Sequence, residues 1–291
     1  LNALEYILFL VLEKTVPILP LSFSHFFAEI YAYVFYYFIP IRKKTAISNL
    51  KLAFPEMDGA EINKIVKGVY RNVLIVILEF FYLKKLKTEG LKSIISVTNP
   101  EKFEESLSRG KGVVVVSAHF GNWELMAHGV ARIIRHPIYV IVKKQSNEKL
   151  DVKINEMRES GGNKMIEMQN ALRGVLTSLH ENKIVAMLGD QTAPKDNSVK
   201  VHFFVDDVPT FEGAARFAIK TGAAVLFAAP ERNKDYTYTV EMKEIDMTKY
   251  KEYTDENIKA LTQEHTSMLE AAIRKNPDHW LWFHRRFKHV A

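Results

Sequence analysis

The run Val113-Val114-Val115-Val116, entered through Gly110 and Gly112, constrains the fold more than any other feature of the chain. Four consecutive β-branched residues with no polar alternation describe a short strand buried on both faces, as in a largely parallel sheet. Residues of helical composition, Ala127 to Ile134, follow at once. The pattern then repeats. Pro137–Val142 reads as a strand, Glu148–Glu159 and Gln169–His180 as helices, and Ile184–Leu188 as a strand. Gly213–Thr221 reads as a helix, Ala223–Ala229 as a strand, Tyr236–Lys243 as an alternating edge strand and Asp255–Arg274 as a long final helix. Upstream, residues 45–86 carry apolar side chains at helical spacing, broken at Pro55 and Gly59. The expected fold is α/β, a mostly parallel central sheet flanked by helices.

The first 44 residues have a different character. Thr15–Ala28 and Ile30–Ile41 contain no Asp, Glu, Lys or Arg, and only Glu29 separates them. Phe26, Phe27, Tyr31, Tyr33, Phe35, Tyr36, Tyr37 and Phe38 crowd the second half, which ends at Arg42-Lys43-Lys44. A spanning helix wants about 20 mostly apolar residues. Neither run reaches that length, and Pro17 and Pro20 interrupt a helix through both. Rings favour the membrane interface, and a basic cluster after an apolar segment favours the cytoplasmic side. The reading is an anchor over residues 1–44 that lies in or dips through a membrane, with residues 45–291 as a catalytic body in the cytoplasm. A pair of aromatic-rich core helices is the alternative.

Functional residues in such sheets gather at the carboxyl ends of strands. His119 stands there, two residues past Ser117, and Gly121 permits a tight turn before the next helix. Asn122 is placed to cap that helix, and Glu124 falls in its first turn. A carboxylate that accepts from one imidazole nitrogen fixes the other as a base, so Glu124 is expected to orient His119. No Gly-x-Ser-x-Gly elbow supplies a serine, and the chain has no cysteine. The base would therefore act directly on an incoming hydroxyl, unless the pair is only structural. The absence of cysteine also removes disulfides and thiolate metal sites. The net charge of +6 suits an anionic partner, whether nucleic acid, membrane surface or acidic protein.

The hexapeptide His119-Phe-Gly-Asn-Trp-Glu124 resembles the H-x(4)-D/E motif of glycerolipid acyltransferases, in the form seen in the lipid A biosynthesis lauroyl/myristoyl acyltransferase family. Asn49-Leu50 with Ala53-Phe54-Pro55-Glu56 is similar to that family's N-terminal signature. Asp190-Gln191 is similar to its Asp-Gln element, and Pro277–Lys288 to its C-terminal signature. The resemblance implies a glycerolipid acyltransferase-like α/β fold with N-terminal membrane-associated helices, at the cytoplasmic face of a bacterial inner membrane. It implies transfer of a fatty acyl chain from acyl carrier protein, or from CoA, to a hydroxyl of an anionic glycolipid such as a lipid A precursor. His119 is then the base and Glu124 its orienting partner, with no cofactor, no metal and no nucleic acid. Asn122, Trp123, Lys143, Lys144, Arg158, Asp190 and Gln191 become candidates for contact with substrate.

Several positions depart from the pattern. Lys143-Lys144 stand where the family often has arginine, Val205 follows Phe203-Phe204 where glycine is common, and Thr192 follows Asp-Gln in place of an acid. Arg158 could bind a phosphate or an oxyanion, or simply end a helix. Asp190 and Gln191 could shape the site by fixing loops near His119. Phe203 and Phe204 could line an acyl tunnel or pack in the core. The alternatives kept open are acyl transfer from acyl-CoA to another lipid (a phosphatidylinositol mannoside, a lysophospholipid or an ornithine lipid), and a non-catalytic lipid-binding protein of the membrane surface.

Overall fold

The computed structural model describes residues 2–194 and 198–290. The chain opens with α1 (Asn2–Thr15), α2 (Leu21–Tyr37), α3 (Lys43–Ala53) and α4 (Gly59–Phe80). Next come α5 (Thr88–Ile94), β1 (Ile95–Thr98), α6 (Glu101–Leu107) and β2 (Val113–Ser117). The alternating part follows as α7 (Trp123–Ile134), β3 (Ile138–Val142), α8 (Glu148–Glu159), β4 (Lys164–Glu167), α9 (Ala171–His180) and β5 (Ile184–Leu188). A hairpin, β6 (Val199–Phe203) and β7 (Val205–Thr210), precedes α10 (Gly213–Thr221) and β8 (Ala224–Phe227). The chain closes with β9 (Glu231–Arg232), β10 (Tyr238–Glu241), β11 (Lys243–Ile245) and α11 (Asp255–Lys275).

The main sheet has the order β11-β8-β2-β5-β3-β4, parallel except for β11. The valine run forms its centre. Alternate residues of each strand point to opposite faces, and the sheet accordingly separates two apolar cores. Val114, Val116, Val185 and Met187 face one of them, with α9, α10 and α11. Val113, Val115, Ile184 and Ala186 face the other, with α5, α6 and α7. The expected edge strand over 236–243 is divided in the structure. β10 joins β1 and β9 in a small separate sheet, while β11 borders the main one.

Helix α4 begins at a capping box. Asp58 accepts from the backbone of Ala60 and Glu61, and Glu61 accepts from the Asp58 backbone at 2.9 Å. The same helix holds α2 to the body, with Ala28, Ala32 and Tyr36 of α2 buried. The outward faces of the first two helices stay apolar. Leu4, Ile7, Leu8 and Val11 are exposed on α1, and Phe23, Phe26, Ile30, Tyr33 and Tyr37 on α2, both sets at helical spacing. Pro17 lies in a 3-10 turn and Pro20 precedes α2, so the two helices do not merge. No helix among the described residues is long and apolar enough to cross a membrane.

Candidate active site

Strand register brings the site together. β2 and β5 are parallel neighbours in which Ser117 lies opposite Leu188. Two residues further along each chain are His119 and Asp190, and they meet at the carboxyl edge of the sheet. His119 Nδ1 lies 2.9 Å from Asp190 Oδ1, and the His119 backbone N–H donates to Asp190 Oδ2 at 3.0 Å. Trp280 Nε1 donates to that second oxygen at 2.8 Å. With Asp190 ionised, Nδ1 carries the proton and Nε2 keeps its lone pair. Burial alone would raise the Asp190 carboxyl, but His119 and these donors hold it below its ordinary value. Burial alone would likewise lower His119. The Asp190 carboxylate outweighs it, and the imidazole sits above its ordinary 6.5.

The backbone between strand and helix is pinned from outside. Gly121 has φ +56°, and a Cβ there would lie 2.0 Å from the Pro230 carbonyl oxygen, so no side chain fits. Its N–H donates to the His279 carbonyl, while Leu281 N–H donates to the His119 carbonyl, and Phe120 bridges to Trp280. Asn72, on α4, donates to the carbonyls of both Gly121 and His279 at 3.1 Å. The N- and C-terminal signatures are knitted in the same way, since Asn49 donates to the carbonyls of Trp282 at 2.9 Å and His284 at 2.7 Å.

Glu124 does not orient His119. Asp190 occupies Nδ1, and the first turn of α7 turns Glu124 to α8, where Arg158 grips it with two parallel bonds of 2.9 and 2.6 Å. Glu124 still acts on His119 through space, favouring the imidazolium, and Arg158 opposes it. Asn122 caps α7 as its position predicts, and it is a structural residue. It is fully buried, its Oδ1 accepts from Leu125 N–H at the start of α7, and its Nδ2 donates to Glu79 at 2.6 Å, leaving nothing for a substrate. Trp123 does face the site, its ring edge-on to the imidazole at 5.2 Å. Gln191 Nε2 lies 3.4 Å from His119 Nε2, at the open side of the ring.

Lys143 and Lys144 follow β3 as exposed residues, Lys144 paired with Glu148 at 3.0 Å, and neither bonds to the His119 group. Phe203 and Phe204 are core residues. They pack against Trp280, Trp282, Phe54 and Phe287. Arg286 is buried beneath them, bonded to Pro209 and Thr210, and burial lowers its guanidinium to about 10. Among the described residues no group of three or more His, Asp and Glu could hold a metal ion.

The sequence reading missed two residues, Asn72 and Glu79. Their signal was present, for they are polar residues seven positions apart within the apolar run of α4, and both are buried. Glu79 accepts from His25 at 2.7 Å, Asn122 at 2.6 Å and Tyr238 at 2.7 Å, and so ties α2 and β10 to the start of α7.

A buried carboxylate that fixes one nitrogen of an imidazole, with the other facing a side-chain amide at a sheet edge, equips an α/β protein for base chemistry. Residues 1–289 match the family described as bacterial lipid A biosynthesis acyltransferase. The chain is 26% identical to the lipid A biosynthesis palmitoleoyltransferase of Escherichia coli K12, over 86% of this chain and 80% of that protein. It is 23% identical to the lauroyltransferase of the same organism over the same shares. A phosphatidylinositol mannoside acyltransferase of Mycobacterium tuberculosis is 27% identical over 43% of this chain and 40% of its own length. The chain belongs to the bacterial lipid A biosynthesis acyltransferase family and is an O-acyltransferase.

Proposed function

We propose that the protein transfers a fatty acyl chain from an acyl thioester, carried by acyl carrier protein, to a hydroxyl of a glycolipid such as a lipid A precursor, with His119 as base. The observation that carries this reading is the His119–Asp190 pair, whose Nε2 meets only the Gln191 amide at 3.4 Å. Nε2 takes the hydroxyl proton as the alkoxide oxygen bonds to the thioester carbonyl carbon. The resulting tetrahedral oxyanion collapses, the C–S bond breaks, and the thiolate leaves and takes the proton back from His119. Asp190 holds the ring and favours its cationic form, and so performs the task the sequence reading gave to Glu124. The Gln191 side-chain amide lies beside Nε2 and is the donor best set to steady the oxyanion. The Glu124–Arg158 pair acts on the ring through space, and Trp123 stands edge-on to it at 5.2 Å.

In this reading residues 1–44 lay the exposed apolar faces of α1 and α2 onto the cytoplasmic side of a bacterial inner membrane, and residues 45–291 form the catalytic body. Apolar side chains at helical spacing beside Arg42, Lys43 and Lys44 suit an interfacial helix on an anionic surface. The test is incubation of detergent-purified protein with acyl carrier protein or CoA thioesters and a lipid A precursor, read by mass spectrometry for one added acyl chain. Product that His119→Ala abolishes supports the reading. Thioester consumed with the precursor untouched moves the acceptor to another glycolipid, phosphatidylinositol mannosides first. Wild type as inert as His119→Ala with every donor and lipid offered would leave a lipid-binding protein.

A further inference from the structure

Beside the His119 group lies a cleft of about 530 Å³ lined by Arg42, Thr45, Thr192, His284, Arg285 and Lys288. Three of the six residues are permanent cations and none is an acid. Arg42, Arg285 and Lys288 are exposed, and no ion pair is formed by any of them among the described residues. Some lysines elsewhere are paired, as Lys84 is with Glu13, Lys102 with Glu105 and Lys275 with Glu231, whereas this cleft gathers three cations with no acid in its lining. Three uncompensated cations around one cleft repel one another, and that cost is relieved when an anion enters.

The wall of the cleft is built rather than loose. Arg42 is in the left-handed region at φ +56° and donates to the Phe283 carbonyl at 3.2 Å. Asn49 holds the His284 carbonyl, and Thr192 hydrogen-bonds both the His284 ring and the Arg285 carbonyl. Two neighbours fix what can reach it. Thr192 directly follows Gln191, whose amide touches His119 Nε2, and the charges of His119 and Arg42 both act on His284. On the other side, Arg42 directly follows the exposed apolar residues Phe38, Ile39 and Ile41.

We propose that this cleft is the phosphate subsite of the enzyme, in which Arg42, Arg285 and Lys288 hold a phosphate group of a substrate while its reacting atom lies at His119. The assignment rests on the acyl-transfer reading above. Its position between base and apolar surface favours a phosphorylated lipid headgroup. The phosphate of a pantetheine or CoA donor has the same chemistry, and the experiment separates the two.

Arg42→Gln, Arg285→Gln and Lys288→Gln are made singly and together, with Lys251→Gln, exposed and distant from the cleft in sequence, as control. Steady-state rates are measured with a phosphorylated acceptor and its dephosphorylated form, and with acyl carrier protein and acyl-N-acetylcysteamine, a donor without phosphate. The triple variant is expected to raise KM for the phosphorylated acceptor at least tenfold, with kcat within threefold and no change for the dephosphorylated acceptor. An increase confined to the phosphate-bearing donor supports the same subsite and assigns it to the donor. KM values that are unchanged, or that rise equally with and without phosphate, overturn it. Line broadening of inorganic pyrophosphate in ³¹P NMR keeps the two readings distinguishable. If no lipid turns over but the wild type broadens the signal and the triple variant does not, the subsite stands and the acyl-transfer reading falls. Turnover with equal broadening by both proteins sinks the subsite alone.

Discussion

Two histidine–carboxylate pairs in this molecule look alike and do different things. His119 meets Asp190 at 2.9 Å and His25 meets Glu79 at 2.7 Å, and both carboxylates are buried. The difference lies in where each pair stands and how exposed its ring is. Glu79 spends its oxygens on His25, Asn122 and Tyr238, while the His25 ring is stacked on Tyr236 at 4.0 Å. The His25 side chain keeps 10% of its exposure and the His119 side chain 21%, the latter with Nε2 turned to Gln191. A pair whose carboxylate is fully bonded between helices holds structure. A pair at the carboxyl edge of β2 and β5, whose second nitrogen meets only the Gln191 amide at 3.4 Å, can take a proton.

The largest expected effect separates the pairs. His119→Ala should lower kcat by about 10³- to 10⁴-fold, and Asp190→Asn by about 10²- to 10³-fold, with the unfolding midpoint little changed for the first. Glu79→Gln should do the reverse. Glutamine has one acceptor oxygen for the three donors His25, Asn122 and Tyr238, and a buried donor left unsatisfied costs about 1–3 kcal/mol, so unfolding by urea should shift strongly while kcat per folded molecule falls less than tenfold. If Glu79→Gln stops turnover in protein that is still folded, the two pairs are not separate and His25–Glu79 belongs to the catalytic machinery.

The next effect is in pH. Since Asp190 holds His119 above 6.5, the base form fills only as pH rises through that raised value. The acid limb of kcat/KM should lie above the ordinary histidine range, and Asp190→Asn should move it down. The stability contribution runs the other way. A raised His119 adds stability below 6.5 that is lost as pH climbs through its folded value. A lowered Asp190 adds stability above 3.8 that is lost as pH falls through its own. An acid limb that stays in place in Asp190→Asn would show that the carboxylate orients the ring without charging it.

Smaller again is the Glu124–Arg158 pair, which the bidentate bonds make a single unit. Glu124→Gln and Arg158→Lys should each lower kcat by about ten- to a hundredfold, and the double variant hardly further, because the second change removes a partner already lost. Additive losses would mean that each residue touches substrate on its own account. Rates of the two single variants and the double one, under one set of conditions, decide it.

The sheet was legible because its signal is local. Val113–Val116 and Ile184–Leu188 are continuous apolar runs, and helices such as Glu148–Glu159 and Gly213–Thr221 begin and end where composition changes. The position of His119 just past the carboxyl end of a strand was legible in the sequence. Its partner was not, because the choice between Glu124 and Asp190 depends on the register of β2 against β5, which neither strand encodes alone. The short strands β1, β4, β6 and β7 went unread for a related reason, as each is defined by its neighbour more than by its own residues. Asn122 misled because a fully buried cap and a substrate ligand look the same in sequence. The cleft of Arg42, Arg285 and Lys288 joins residues more than 240 positions apart, and only folding makes it one site.

The smallest effect bears on the helix that carries His25. α2 buries Ser24, His25, Ala28, Ala32 and Tyr36 on one side and exposes Phe23, Phe26, Ile30, Tyr33 and Tyr37 on the other. If the inner side is structural and the outer side meets lipid, substitutions on the two sides should have separable outcomes. Phe26→Ser removes one exposed ring from an interfacial face, a change of about 1–2 kcal/mol in transfer free energy, or five- to thirtyfold in vesicle affinity. Sedimentation with vesicles of phosphatidylglycerol and phosphatidylethanolamine should show that loss, with kcat in detergent micelles and the unfolding midpoint unchanged. His25→Gln should show the opposite, a lower midpoint with vesicle affinity intact once folded. Phe26→Ser that binds vesicles as well as wild type would take α2 off the membrane, and leave its aromatic face to another partner.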